Sequence, residues 1–311
     1  MIRPLAVALA AALAAVLAGC GVGAGQAPTS VRLTVTDDFG HRQLLALDGP
    51  RVRGEDTVMR LLQRNAKVTT RYGGGFVQSI DGLAGGSAGG GHRDWFYFVN
   101  GVEAGEGAAA TTVQRGDRIW WDRRDWTAAQ EVPAVVGSFP EPFLHGLDGR
   151  RLPVRVECAD PRAPVCRAVQ DRLVKLGVVA GIGTLSASRS VESIRVVVGP
   201  WSRVGQDAAV RLIAQGPGAS GVFARFADGG RALQLLGPDG RVRRTAGAGS
   251  GLIAALRVRG EQPVWTITGT DDAGVEAASL AFEEGALSDN YALAVVDDQG
   301  VGLPVARGAR P

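Results

Sequence analysis

Apolar and polar residues alternate at the start of the first folded region and take a helical spacing soon afterwards. The alternation over residues 31–36 is typical of a half-buried β-strand. Val58, Leu61 and Leu62 fall on one face of a helix, and acidic residues precede them. Further strands, of which the last ends in an Asn-Gly turn, are predicted over residues 42–47, 67–72 and 94–101. Residues 31–130 are therefore predicted to form a small α+β domain.

The second half of the chain alternates apolar strands with amphipathic helices. The pattern predicts strands at residues 152–158, 193–199, 263–270 and 291–296. It predicts helices at residues 164–176, 206–215 and 271–284. Short segments separated by Gly-rich turns predict a hairpin insertion at residues 223–226, 232–236 and 241–244. Residues 152–307 are therefore predicted to form an open, mixed α/β sheet.

Residues 131–151 separate the two halves and are rich in proline. Pro133, Pro140 and Pro142 favour an extended, semi-rigid segment. Because Phe139 and Phe143 lie among these prolines, we expect the linker to lie in a groove between the domains.

The first residues of the chain have the features of an export signal. An apolar run over residues 4–16 follows Arg3 and ends in Leu17-Ala18-Gly19-Cys20. The run is shorter than the ~20 residues that a membrane span needs, and an ordinary cleaved signal or an uncleaved anchor helix are the alternatives. The tetrapeptide resembles the lipobox of bacterial lipoproteins. That resemblance implies that residues 1–19 are removed, that Cys20 is lipidated, and that residues 20–30 tether the protein to the outer face of the cell membrane.

The charged residues and the cysteines bear on the kind of partner and on the compartment of the protein. The chain has 34 basic and 31 acidic side chains, which alternate rather than form a basic stripe, so we expect no nucleic-acid partner. Besides Cys20, the chain contains only Cys158 and Cys166. An exported protein can keep them as a disulfide, which we predict, and a redox or metal site is the alternative.

Catalytic motifs are absent from the sequence. The chain has three histidines and lacks the nucleophile-elbow, zinc-protease and Walker patterns. We therefore predict a protein that is not an enzyme and that needs no cofactor or metal.

Four blocks of sequence resemble a known bacterial domain family. The blocks are residues 57–62, 75–82, 95–102 and 116–121. Their order and spacing resemble those of a bacterial family of unknown function, which is related to the C-terminal β domain of transcobalamin and intrinsic factor. The resemblance implies a β-grasp-like fold for the first domain, with one helix across a curved sheet. It also implies a corrinoid as a candidate ligand, because the vitamin carriers hold cobalamin against this domain.

Aromatic residues of the first domain are the candidate ligand contacts. Neighbouring residues of a strand point to opposite faces, so one aromatic residue of each adjacent pair should lie on the outer face. That face either binds a ligand or is covered by the second domain. The candidates for stacking on a flat ligand are Trp95, Tyr97 and Trp121. The candidate polar partners at the rim of that ligand are Gln78, Ser79 and Asp81.

His92 and two strand ends complete the candidates. His92 lies in a Gly-rich loop, where its imidazole either ligates a metal such as cobalt or is simply solvated. In the second domain, the strand ends at residues 199–202 and 269–274 are where open α/β sheets bind ligands. At the latter, Asp271 and Asp272 favour a helix cap and disfavour a phosphate site.

These observations predict an extracytoplasmic lipoprotein that binds a small flat ligand. A corrinoid is the candidate, held between the two domains and delivered to a membrane importer. The alternative is a cell-envelope module that binds a protein or a glycan and no small molecule.

Overall fold

A computed structural model describes residues 28–88, 91–186 and 191–306. The predicted signal peptide and Cys20 lie outside these residues. In the part of the chain that is described, no helix combines the length and the hydropathy needed to cross a membrane.

Among its described residues, the first half contains one α-helix and nine strands. The helix is α1 (Val58–Asn65). The strands are β1 (Arg32–Asp37), β2 (Arg42–Asp48), β3 (Val68–Arg71), β4 (Phe76–Ile80), β5 (Leu83–Ala84), β6 (Gly86–Ala88), β7 (Gly91–Val99), β8 (Val102–Glu103) and β9 (Arg118–Asp125).

The first and last long strands of this half pair at the centre of its main sheet. The sheet has the order β2-β1-β9-β7-β6, and β1 and β9 are parallel while the other pairs are antiparallel. Helix α1 begins after Thr57, whose hydroxyl accepts a hydrogen bond from Arg60 N, and buries Val58, Leu61 and Leu62. One helix packed across such a sheet is the arrangement expected of a β-grasp-like domain.

The second half contains ten strands and five helices among the described residues. The strands are β10 (Val154–Cys158), β11 (Ala180–Thr184), β12 (Ile194–Pro200), β13 (Ala224–Ala227), β14 (Ala232–Leu236), β15 (Val242–Ala246), β16 (Gly251–Leu256), β17 (Val264–Gly269), β18 (Ala292–Val296) and β19 (Gln299–Leu303). The helices are α2 (Pro164–Lys175), α3 (Trp201–Val204), α4 (Pro217–Ser220), α5 (Asp272–Leu280) and α6 (Glu284–Leu287).

A seven-stranded mixed sheet organises this half, which confirms the predicted α+β class. Its order is β11-β10-β12-β17-β16-β18-β19, and β11, β10, β12 and β17 are parallel. One face is covered by α2 and α5, whose buried residues share a core with Val156, Val196 and Val198. The other face is covered by the antiparallel sheet β13-β14-β15 and by residues of the first half.

Two predicted helices differ from the structure. Residues 206–215 contain only a short 3₁₀ segment, Val210–Gln215, because the Asp207 carboxylate accepts hydrogen bonds from the backbone N–H groups of Ala209 and Val210 and forms a turn there. The helix predicted over residues 271–284 ends at Leu280, and α6 begins four residues later.

The proline-rich linker is buried between the two halves, as the sequence predicts. Val132 and Val135 belong to the core shared with the first half, whereas Phe139 and Phe143 pack against Trp265 and Phe282 of the second half. The linker therefore forms part of both hydrophobic cores.

Aromatic rings connect the two halves directly. The Phe39 ring, from the turn after β1, lies 5.1 Å from the Phe223 ring and 5.2 Å from the Tyr291 ring, both in edge-to-face geometry. On the same side, the ring of Trp120 lies 5.3 Å from that of Tyr291. All of these side chains are buried, so the contact between the halves is a packed hydrophobic core.

A buried carboxyl group completes this contact. Asp122, on β9, accepts hydrogen bonds from Thr36 Oγ1 at 2.6 Å and from Tyr291 Oη at 2.9 Å. It also accepts from the backbone N–H groups of Phe39 and Gly40, at 3.0 and 3.2 Å. One side chain therefore satisfies four donors from both halves. Burial raises the pKa of this carboxyl group above its usual value.

Candidate functional site

The three aromatic residues predicted to stack on a ligand are buried. Trp95, Tyr97 and Trp121 are 5%, 9% and 2% exposed and belong to the core beneath α1. The Tyr97 and Trp121 rings stack on each other at 4.8 Å, and Trp95 Nε1 donates to Leu83 O. The expectation of an exposed stacking face is therefore corrected.

The physical reason is that both faces of β7 and β9 are covered. Trp95 and Tyr97 face α1, whereas Phe98 and Trp120 face the second half of the chain. The Arg124 guanidinium lies over the ring of Phe96, with 3.8 Å between Arg124 Cζ and the centre of that ring. The alternation of side chains along β7 and β9 places aromatic residues on both faces of the sheet. One face is covered by α1 and the other by the second half of the chain, so neither is free to bind a ligand.

The predicted rim residues stabilise a hairpin. Ser79 Oγ lies 2.6 Å from Thr69 Oγ1, so the two hydroxyls join β3 and β4. The Asp81 carboxylate accepts a hydrogen bond from Lys67 N at 2.7 Å, and Gln78 is half-buried on β4. These strands form the small sheet β3-β4-β5, separate from the sheet that carries the three aromatic residues.

His92 is exposed near the end of the main sheet. Its Nδ1 lies 2.7 Å from Ser87 Oγ, and its ring stacks on Trp126 at 5.1 Å. Across residues 28–88, 91–186 and 191–306, no three His, Cys, Asp or Glu side chains are grouped so that they could hold a metal ion. The contacts of His92 are thus those of a surface side chain packed on an aromatic ring.

A large cavity lies at the carboxyl ends of β10 and β12. Its volume is about 740 Å³, larger than the cavities of about 250 and 460 Å³ elsewhere in the molecule. The chain leaves β10 through α2 toward β11 on one side, and after β12 it returns to the sheet on the other side, through β16 and then β17. Two adjacent parallel strands whose connections diverge in this way define the crevice where open α/β sheets bind ligands. We call this space the switch cavity.

The switch cavity has an apolar floor and one apolar wall. Val198 and Val275 are buried at its floor, and Val165 and Ala168 of α2 form the apolar wall. The floor also requires Gly199, because a Cβ atom there would lie 2.6 Å from Ala159 Cβ. Such a lining favours the burial of apolar ligand surface.

Charged side chains stand at the edge of the switch cavity. Asp272 and Glu276 are exposed on one side of α5, Asp160 follows β10, and Arg203 lies on α3. Arg203 Nη2 donates to the carbonyl of Ala159 at 3.2 Å. The predicted strand ends at residues 199–202 and 269–274 both border this cavity, whereas sequence reasoning did not single out Ala168 or Glu276.

The disulfide predicted from the sequence is present beside the switch cavity. Cys158, at the end of β10, is bonded to Cys166 in the first turn of α2. Both residues are buried. The bond therefore fixes the start of α2 to the strand that forms the cavity floor.

A second, more polar cavity of about 460 Å³ adjoins the first domain. Its wall combines Glu103 and Thr111 of the first half, Asp148 of the linker and Arg257 of the second half. In the part of the chain that is described, none of its lining residues is aromatic.

A titratable cluster lies near the start of β9. Asp117 is buried, and its carboxylate accepts from Asn100 Nδ2 at 2.9 Å and from Gln114 N at 2.7 Å. Asn100 also donates to Gly146 O, which ties the Asn-Gly turn to the linker. Burial, with a smaller contribution from Glu141, raises the pKa of Asp117 to about 6.

We expect this group to make the protein less stable as pH rises from about 4 to about 6. The folded state holds a proton on Asp117 that the unfolded state, with a pKa of 3.8, has already released. A difference of about two pKa units corresponds to about 3 kcal/mol. The substitution Asp117→Asn should remove this part of the pH dependence in urea unfolding measured at both ends of that range. Parallel pH profiles for the two proteins would contradict the assignment.

Comparison with known proteins bears on the first half alone. The family described as a domain of unknown function, DUF4430, matches residues 55–124. The match includes all four sequence blocks that suggested a bacterial domain family. Comparison with curated proteins gives no match.

Proposed function

We propose that this chain is an exported, lipid-anchored binding protein that captures a small organic ligand in the switch cavity and delivers it to a membrane importer. The observation that carries the proposal is the position of the cavity. It lies outside the carboxyl ends of β10 and β12, at the point where their connections diverge, and its floor is apolar.

The N-terminal sequence supports the anchored location. Arg3, the apolar run and the Leu17-Ala18-Gly19-Cys20 tetrapeptide have the order of a lipoprotein signal. The Cys158–Cys166 disulfide suits a compartment outside the cytosol. A protein anchored by Cys20 would release or collect its ligand close to the membrane surface.

The corrinoid hypothesis has less support than the general one. It rests on the resemblance of the DUF4430 segment to the transcobalamin β domain, while Trp95, Tyr97 and Trp121 are buried. None of the described residues that line the switch cavity is aromatic. A corrinoid therefore serves as one probe of the protein, and an apolar ligand of another shape is favoured.

The test is ligand retention by the purified full-length chain in detergent micelles. Ala168→Trp should fill the cavity, since Ala168 is exposed on α2 and lines it. After incubation with a small-molecule extract of the growth medium, the wild-type chain should retain a compound, identified by mass spectrometry after denaturation, that the variant loses.

A matched variant controls for the added indole. Ala273→Trp makes the same change at an exposed position of α5 that does not line the cavity, and it should retain the compound. Equal retention by all three proteins, or retention by none, would contradict the proposal. A titration with cyanocobalamin, followed by its absorbance, tests the corrinoid hypothesis in the same preparation.

A further inference from the structure

The charged edge of the switch cavity is acidic. Among the residues that the structure describes, its lining contains the carboxylates of Asp160, Asp272 and Glu276 and one cation, Arg203. Three carboxylates against one guanidinium leave a net negative charge at this edge. One of them, Asp272, also lies in the first turn of α5, where the helix dipole favours a carboxylate. The excess of negative charge next to an apolar floor indicates which chemical class of ligand the cavity would bind.

The two carboxylates on α5 lie on one side of the helix. Asp272 and Glu276 are four residues apart, a spacing that places side chains one above the other. Within the described ranges, neither makes an ion pair or a side-chain hydrogen bond. Both are exposed, so their charge is available to a ligand and is screened by salt.

Opposite these carboxylates, the wall formed by α2 is apolar. Val165 and Ala168 are three residues apart and face the cavity, and Val198 and Val275 close the floor beneath them. Arg172, further along α2, donates to the carbonyls of Leu280 and Phe282 and holds the two helices together. The space between the helices is therefore a fixed groove with one acidic wall and one apolar wall.

We propose that the ligand of the switch cavity is a small organic cation with an apolar body, its ammonium group beside Asp272 and Glu276 and its hydrocarbon against Val165, Ala168 and the floor. This inference rests on the proposed function and adds the chemical class of the ligand. Charge complementarity argues for the ammonium group, and the apolar area argues against a fully polar cation such as a metal ion.

The test compares three probes of one carbon skeleton. The 2-phenylethylammonium ion, 2-phenylethanol and phenylacetate are titrated into the full-length chain in a nonionic detergent by calorimetry. Exposed ion pairs are weak, so two carboxylates should favour the cation over the alcohol by about tenfold in Kd. The anion should bind more weakly than the alcohol, and the preference for the cation should decrease at high salt.

Two double variants distinguish the effect of the carboxylates at the cavity from the effect of the protein's net charge. Asp272→Asn with Glu276→Gln should reduce the affinity for the cation to that for the alcohol and leave the alcohol unchanged. Glu55→Gln with Asp298→Asn makes the same change in net charge at two exposed residues that do not line the cavity, and it should leave all three affinities unchanged.

The outcomes distinguish this inference from the proposed function. Equal binding of all three probes, abolished by Ala168→Trp, would overturn the cation class and leave the cavity as the binding site. Tighter binding of phenylacetate would also overturn it. Binding of the cation that persists in Ala168→Trp would contradict the site itself, and no binding of any probe would contradict both.

Discussion

Replacing Phe39 by Ala should destabilise the whole protein by about 3–5 kcal/mol, the range for truncation of a buried aromatic side chain. Phe39 belongs to the first half of the chain, yet its ring is buried against Phe223 and Tyr291 of the second half. Its loss leaves a cavity between the two halves. The measurement is the free energy of unfolding from urea denaturation of the full-length chain.

Tyr72→Ala is the matched control for this prediction. Tyr72 is also an aromatic residue with a positive φ, +52° against +63° for Phe39, but its side chain is 87% exposed. Its truncation should change the free energy of unfolding by less than about 1 kcal/mol. Similar losses for the two variants would show that the backbone conformation, and not the packing of Phe39, sets the effect.

Replacing Asp122 by Ala should cost about 3–5 kcal/mol as well. The carboxyl group accepts from Thr36, Tyr291 and two backbone N–H groups, and its removal deprives these donors of their shared acceptor. Tyr291→Phe removes only one of the four donors and should cost about 1 kcal/mol. Thermal and urea unfolding of both variants provide the comparison. Equal losses would contradict the role of Asp122 as the shared acceptor.

The spacing of apolar residues correctly predicted several strands and helices. The alternation over residues 31–36 corresponds to β1, and the spacing of Val58, Leu61 and Leu62 corresponds to α1, because a sheet face and a helix face each impose their own period. The helix expected at 206–215 failed for a reason that is partly local, since Asp207 accepts from Ala209 N and Val210 N, and partly non-local. Asp207 pairs with Arg195 and turns the chain, and a single sequence does not show that pairing.

The aromatic site failed for a related reason. Alternation showed that Trp95 and Phe96 point to opposite faces of β7, but the segments that cover those faces come from distant parts of the chain. The switch cavity was predicted in part. Strand ends at 199–202 and 269–274 followed from the rule for open α/β sheets, whereas the wall formed by Ala168 required the packing of α2 beside α5.

Hydrogen exchange of the full-length chain with and without the 2-phenylethylammonium ion tests the ligand site most directly. Occupation of the switch cavity should slow exchange of backbone amides at residues 160–168 and 272–280, which border it, and leave residues 31–125 unchanged. Protection confined to residues 31–125 would place the ligand on the first half of the chain and contradict the account.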